Sequence, residues 1–393
     1  MDLIQLDKAF LSYERKLRVQ ERLRRLLGVK EVARPTYERY ITGAIERFDR
    51  EKTGFMTLNH DNPFGAEFRQ RFKARTGDDS LAPLPYTELL PEHRIGQSLK
   101  SAIRRLSREY CPEPLPVTLA EARVEVTDKS WMTRLVKKTG LFFGAEMVRI
   151  TRIDPRWIYS NVDISHQYAI LVVVTHDRAF SGTSPSHLSG ATVTDTYSRL
   201  KFITTRLADF IRGLGYEANS SDVTGSNTEL LLVPMAIDAG IGEYSRSGIV
   251  LSPEFGPNMR IQPVTTDLPL EVDKPVSFGV EEFCLVCEEC ALYCPAQAIP
   301  FGSSTGVPPG EHNNPGYLKW YLNAERCLTF WAANKKRWTD CGGRCFVVCP
   351  WNKPVVPFHN MVRWAAIHSP SVVKKMLVQG DKMVNGRTNK IKD

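Results

Sequence analysis

Long hydrophobic runs are missing from this chain of 393 residues. None approaches the roughly twenty apolar residues that a membrane-spanning helix needs. The N-terminus, MDLIQLDKAFLSYERKLRVQERLRRLLG, sets no apolar stretch behind a basic start, so it does not read as a secretory leader. Arg24-Arg25 is followed by Leu-Leu-Gly and then charge, which excludes a twin-arginine signal. The chain is expected in the cytoplasm as it stands, or as the mature form of an exported, membrane-associated enzyme whose leader has been removed. A complete dinucleotide fingerprint is also lacking. Gly240-x-Gly242-x-x-Ser245 has no third glycine and no convincing acidic partner, and reads as a turn. Internal repeats are absent beyond one pair of cysteine motifs, which excludes a solenoid. Cysteine outside those motifs is limited to Cys111, read as a buried thiol.

The length allows two or three domains with a sizeable core. Hydrophobic content of 42% and charged content of 24% are those of a soluble globular protein. The net charge is +8, so nucleic acid, an acidic redox partner or anionic lipid could each meet its surface. Basic residues concentrate at Arg15 to Arg25 and Lys374 to Lys392, and terminal basic runs are often flexible.

Eight of the nine cysteines lie between Phe283 and Asn352. Cys284, Cys287, Cys290 and Cys294 follow C-x2-C-x2-C-x3-C-P, the bacterial ferredoxin run for iron–sulfur clusters. In that pattern three thiolates wrap one cubane, and the fourth, beside proline, ligates the other. Cys327, Cys341, Cys345 and Cys349 form a stretched copy that also ends in Cys-Pro. We therefore assign Cys284, Cys287, Cys290 and Cys349 to one [4Fe–4S] cluster, and Cys294, Cys327, Cys341 and Cys345 to a second. Zinc and disulfides compete for such residues, but zinc sites separate pairs of thiols and lack this triple spacing before proline. Cys341-Gly-Gly-Arg-Cys345 has three intervening residues where ferredoxins have two, which alters the local loop.

Elsewhere the pattern is coarser. Residues 1–140 read as helical and irregular, with Val19, Leu23, Leu26 and Leu27 at helical spacing. Residues 141–275 read as alternating helix and strand. Lys137 to Ala145 is a short helix crossing into this segment, and Met147 to Ile153 a strand after it. Ala169 to Val174 is a buried strand. Ser198 to Leu214 is an amphipathic helix, with Thr194, Asp195 or Thr196 as its cap and Tyr197 at its start. Leu230 to Val233 and Gly248 to Leu251 read as further strands. Residues 276–360 hold the cysteine motifs, and 361–393 form a basic, helical C-terminal tail.

The segments before the cysteines sharpen this. They are Asp154-Pro-Arg-Trp-Ile-Tyr-Ser160, Tyr197-Ser-Arg-Leu200, Phe210-Ile-Arg-Gly-Leu-Gly-Tyr216, Asp238-Ala-Gly-Ile-Gly-Glu-Tyr-Ser-Arg-Ser-Gly248, Ser252-Pro-Glu-Phe-Gly-Pro-Asn-Met-Arg260 and Val264-Thr-Thr-Asp-Leu-Pro-Leu270. In order and spacing they resemble the cobalamin- and iron–sulfur-dependent reductive dehalogenases, over roughly residues 140–355. A weaker echo lies at Arg47-Phe-Asp-Arg-Glu-Lys-Thr-Gly-Phe55.

The resemblance implies an α+β fold: a nitroreductase-like cobamide-binding core over 141–275, joined to a ferredoxin-like domain with two [4Fe–4S] clusters over 276–360. The region 1–140 would contribute to the substrate pocket. It implies a cobamide bound base-off, and the chain indeed lacks the D-x-H-x-x-G signature that supplies a histidine ligand in other cobalamin proteins. Tyr197 matches the family's proton-donating tyrosine, Arg260 the basic residue that makes it a better acid, and Asn227 the polar residue beside them. Phe55 and Trp331 match aromatic residues of the substrate pocket. The implied reaction is reductive removal of halide from an organohalide, with electrons from a low-potential donor. A small membrane anchor protein and a homodimer are the further partners implied, and nucleic acid is not among them. Epoxyqueuosine reductase, a tRNA-modifying relative with the same cofactors, is the alternative, and Cys349-Pro-Trp-Asn352 suits it. That family uses an aspartate acid in a different motif, and the segments around Tyr197 and Arg260 are not its signatures. A two-cluster electron carrier is the alternative of another class, and it leaves the α/β segment without purpose.

Eight motif thiolates predict about eight irons and eight sulfides per chain. Metal analysis of anaerobically prepared protein tests this, and about four irons, or zinc in their place, would overturn it. Cys294→Ala is expected to damage the second cluster although Cys294 belongs to the first motif.

Overall fold

The structure is a computed structural model that describes residues 8–78, 81, 88–89, 91–110, 119–220, 229–334 and 343–389. Its centre is a four-stranded antiparallel sheet of β1 (Met147–Arg152), β2 (Tyr168–Thr175), β3 (Ala218–Ser220) and β4 (Met259–Thr266), in the order β1-β2-β4-β3. β2 is the inner strand with the longest partners: Ile170 faces Ile150 on one side and Val264 on the other. Alternate residues point to opposite faces of a strand. Ile170, Val172 and Val174 meet the core that holds Leu200, Ile203, Leu207 and Ile211. Ala169, Leu171 and Val173 meet Trp157, Met235 and Ile237. Helices cover both faces, so β2 is an unbroken apolar run rather than an alternating one.

β4 is a strand that the sequence hid. It carries Arg260, Gln262 and Pro263, and proline is uncommon in central strands. Its last partner on β3 is Ser220, opposite Val264, so Pro263 lies one residue beyond the short neighbour and behaves as an edge residue there.

The helices of seven residues or more are α1 (Leu11–Leu27), α2 (Ala66–Thr76), α3 (Pro91–Tyr110), α4 (Lys129–Phe142), α5 (His187–Gly213), α6 (Leu232–Asp238), α7 (Val280–Cys287), α8 (Ala324–Ala333), α9 (Pro357–His368) and α10 (Ser371–Asn389). Several depart from the expected bounds. α1 exists, but it buries Leu17, Arg24 and Leu27 and leaves Val19 and Leu26 exposed. α4 starts eight residues before Lys137, where the Asp128 side chain accepts from the Ser130 and Trp131 amides. α5 starts at His187 behind a Ser186–Ser189 capping box, not at Thr194 to Thr196. Its first turns are short and polar because α3 packs closely on them: a Cβ at Gly96 would lie 2.7 Å from His187 Cβ. Leu230 to Val233 is not a strand. Leu230 makes one bridge to Ile158, and α6 follows with Pro234 in its first turn, where proline is tolerated. Of Gly248 to Leu251 only Val250–Leu251 is extended, paired with Glu243–Tyr244.

The turn at Gly240 to Gly242 is tight. Gly240 has φ +68°, and a Cβ at Gly242 would sit 2.0 Å from the Leu251 carbonyl oxygen. Arg24 reaches this turn from α1. Its Nη1 donates to the Gly240 carbonyl at 2.5 Å, and its Nε pairs with the buried Glu254 carboxylate. Arg24→Ala leaves that carboxylate unpaired in the interior, which typically costs about 3–5 kcal/mol. A clear fall in thermal midpoint, with α1 loosened in hydrogen exchange, is the expected outcome. An unchanged midpoint would show that the pair is dispensable.

Candidate functional site

Two of the described thiols, Cys284 and Cys287, are buried, on α7. Cys290 follows on a helical turn at Glu289–Leu292, and Cys349 closes the set from the second motif. These thiols line one cavity with Arg246, Pro257 and Trp351. Burial pushes the Cys284 thiol up to about 11 and the Cys349 thiol up to about 12, with Cys284 adding to the latter. Burial also raises Cys287 and Cys290, each further raised by neighbours in the same set. The four thiols grouped by the ferredoxin spacing lie close enough to act on one another's ionisation, and Cys345 also raises Cys290. They surround a space instead of meeting at a point: among the described residues no three such ligands converge on a single ion. Cys345 borders the same cavity. Cys294 accepts from the Ala298 amide at 3.3 Å, and Cys327 lies on α8. Cys341 lies outside the described residues, as do Cys111 and Asn227.

Arg246, unremarked in the sequence, holds the first loop. Its Nε and Nη2 donate to the Cys284 carbonyl at 3.1 and 2.9 Å, and its Nη1 to the Pro300 carbonyl at 2.9 Å. Its guanidinium lies over the Trp320 ring, 4.7 Å from the centroid. From the same ribbon, Glu243 accepts from the Phe278 and Val280 amides at the start of α7.

A second cavity lies against the sheet. Tyr197, Arg260, Phe346 and Tyr159 line it, with an aliphatic side made by Leu231, Val233 and Ile249 among others. The Arg260 guanidinium stands 5.3 Å from the Tyr197 ring centroid and 5.5 Å from that of Phe346. Strand register places Arg260: it is opposite Val174, near the end of β2. Tyr197 comes from the interior of α5, about three turns past its start and not at the start of a helix, so the dipole of the N-terminal turn does not act on it. Phe346 follows Cys345 directly and therefore joins this cavity to the thiols.

His176 was also missed. It ends the apolar run of β2, where a polar residue is a weak signal. Its backbone and that of Asn258 are hydrogen-bonded at 3.3 Å, and Asn258 Nδ2 donates to its carbonyl at 3.0 Å. The ring packs near Phe346, with centroids 6.0 Å apart. Neither ring nitrogen makes a well-formed hydrogen bond among the described residues, although backbone groups of Thr192 and Met259 lie near. Burial, and next the Arg260 charge, hold the imidazole neutral, with its pKa down to about 3.

Phe55 and Trp331 also meet, at 5.6 Å between ring centroids. Trp331 packs on the cluster of Leu58, Phe68, Phe72 and Leu328, while Phe55 borders a depression with Leu58 and Asn62. The structure thus unites Tyr197 with Arg260 and Phe55 with Trp331. Phe55 borders a different cavity from the one that Tyr197 and Arg260 line.

No family model matches the sequence. The chain is 30% identical over 317 residues to the tetrachloroethene reductive dehalogenase of Sulfurospirillum multivorans, covering 70% of this chain and 61% of that protein. It is 38% identical over 295 residues to a tetrachloroethene reductive dehalogenase of Desulfitobacterium hafniense, covering 74% of this chain and 48% of that one. The chain therefore spans about half to three-fifths of the length of these relatives. An epoxyqueuosine reductase of Bacillus subtilis is 28% identical over 158 residues, 37% of this chain and 35% of that enzyme. Among solved structures, a reductive dehalogenase described with a mechanism for B12-dependent dehalogenation superposes with a TM-score of 0.74 at 23% identity, over 93% of this chain and 50% of that one. A catabolic reductive dehalogenase superposes at 0.72 and 23%, over the same shares. The fold is theirs.

A neutral His176 has a signature in solution. Free imidazole titrates near pH 6.5, and the folded one near 3, so below 6.5 the unfolded chain takes up a proton that the native protein refuses. Its contribution is present above pH 6.5 and is lost as pH falls towards 3, by about 2 kcal/mol between pH 6.5 and 5. His176→Phe is expected to flatten that part of the stability-against-pH curve. Parallel curves for the two proteins would refute it.

Proposed function

The chain belongs with the reductive dehalogenases in sequence and in fold, and on that premise we propose that it removes halide reductively from an organohalide. The observation that carries this is the pairing of Tyr197 with Arg260 on a cavity whose wall, Phe346, adjoins the cysteine motifs. The net reaction takes two electrons and one proton, breaks a carbon–halogen bond, forms a carbon–hydrogen bond and releases halide. A bound cobamide supplies the low-potential electrons for that cleavage, replenished through iron–sulfur clusters.

The residues fit such groups. The cavity beside the sheet combines an aliphatic side with the Arg260 cation, whose Nε makes no hydrogen bond among the described residues. Such a surface suits a large, mostly apolar macrocycle. Cys284, Cys287, Cys290 and Cys349 would hold one cluster, and Cys294, Cys327, Cys341 and Cys345 the other. Tyr197 holds the proton at its Oη for transfer to carbon. Arg260 places positive charge against the ring that is left negative when the proton has gone. Asn227 is proposed beside them as a polar partner. Phe55 and Trp331 offer an aromatic face to an apolar substrate. The epoxyqueuosine reductase reading has less support, because that similarity covers little more than a third of this chain.

Tyr197→Phe keeps the ring and its packing but deletes the proton. With cofactor content matched to wild type, halide release with reduced viologen is expected to fall about a hundredfold or more, within the range for general acids. Arg260→Lys is expected to be milder than Arg260→Ala, because a charge remains although the planar fork is lost. Full turnover by Tyr197→Phe would remove Tyr197 from the mechanism.

A further inference from the structure

A groove runs along the C-terminal helices. Phe283, Pro350 and Trp351 form its floor, and the same three residues wall the cavity of Cys284, Cys287, Cys290 and Cys349. Trp351 packs edge-on against Phe278 and Phe283, with centroids 5.5 and 5.6 Å away. This aromatic and proline layer is shared by the groove and the thiol cavity. The rim is apolar and open: Phe358 is 63% exposed, Met376 67% and Val384 80%.

The groove is also positively charged. Lys353 and Arg363 carry this charge, and Arg178 lies close enough to act on both Arg363 and the neighbouring His359. Burial first, then Arg363 and Lys353, hold His359 below its usual range. Arg363 is pushed down to about 10 by burial and then by Arg178. Among the described lining residues Asp381 is the acid, and it is already paired with Lys353 at 2.9 Å. Cations that oppose one another beside an open apolar groove leave room for an anionic partner.

Building on the proposed function, we propose that this groove is the docking site of a small acidic one-electron carrier protein, which passes electrons through the Phe283–Trp351 layer to the cluster of Cys284, Cys287, Cys290 and Cys349. A concave groove receives a protruding protein surface better than a flat lipid face. A second copy of this chain would set cation against cation. With a flavin carrier, one electron leaves the hydroquinone, which becomes the semiquinone, and reduces the oxidised cluster by one. Two such transfers match the two electrons consumed per halide released.

The test measures binding of fluorescently labelled flavodoxin to the cluster-loaded protein at low and high salt, and separately the bleaching of cluster absorbance after mixing with flavodoxin hydroquinone. Wild type is expected to bind at low salt and weaken as salt rises. Phe358→Glu combined with Met376→Glu alters two exposed side chains and is expected to weaken binding and slow bleaching at least tenfold, while viologen bleaches both proteins alike. The pair Phe358→Ser and Met376→Ser, with native circular dichroism required, repeats the test without added charge. Equal flavodoxin binding by wild type and variants overturns the proposal. So does loss only of binding to phosphatidylglycerol vesicles, or only of self-association in sedimentation. Failure of wild type to release halide with viologen would instead strike the proposed function, since carrier binding is read without turnover.

Discussion

One buried guanidinium joins the two halves of the molecule. Arg246 belongs to the ribbon that leaves the sheet core, yet it donates to Cys284 and Pro300 carbonyls in the cysteine-bearing half. It is 1% exposed, and such a charge is costly inside a protein unless its donors are satisfied. Here they are met by carbonyls, by the Glu288 carboxylate at 3.5 Å and by the Trp320 ring. Glu243, three residues earlier, grips the start of α7 in the opposite sense, accepting amides where Arg246 donates to carbonyls. The thiol loop therefore takes its position from the core, and the distance between thiols and sheet cavity is fixed by short polar contacts.

The same tightness recurs around the PEFGP turn. Gly256, at φ +61°, lies against the Trp351 backbone, where a Cβ would come within 2.4 Å of its carbonyl oxygen. Glu254 in that turn is anchored from α1 by Arg24. β4 starts three residues after Gly256, so the strand that carries Arg260 is registered at once against the sheet, the first helix and the Cys-Pro-Trp-Asn segment. Arg260 can then stand between Tyr197 and Phe346 without a side-chain hydrogen bond from Nε to direct it.

What could be read in advance follows from how strongly each constraint marks the sequence. One residue type at short fixed spacings marks the sequence strongly, so Cys284, Cys287, Cys290 and Cys349 could be grouped before the structure placed them around one cavity. β2 was legible because both its faces are buried. β4 was not, because Arg260 and Gln262 interrupt its apolar pattern and its edge tolerates Pro263. The first ten residues of α5 lack an apolar stripe, since close packing on α3 selects small side chains, and Tyr197 was misplaced at a helix end as a result. Val19 and Leu26 had the right spacing for a helix but face outward, because the buried stripe of α1 is completed by a cation, Arg24. His176 and Phe346 carry no pattern at all; only the convergence of β2, β4 and the second cysteine motif makes them neighbours.

The late position of β4 has a consequence for biosynthesis. β2 is complete at Thr175, but its second partner emerges from the ribosome some ninety residues later, and β3 has no partner until then. Until that point the nascent chain exposes the unpaired edge of an apolar strand, a state that favours chaperone capture or mispairing. The cysteine motifs emerge from the ribosome only after β4. Vectorial synthesis thus presents the thiols to a scaffold that can already pair, and the segment proposed to bind clusters does not compete with core formation.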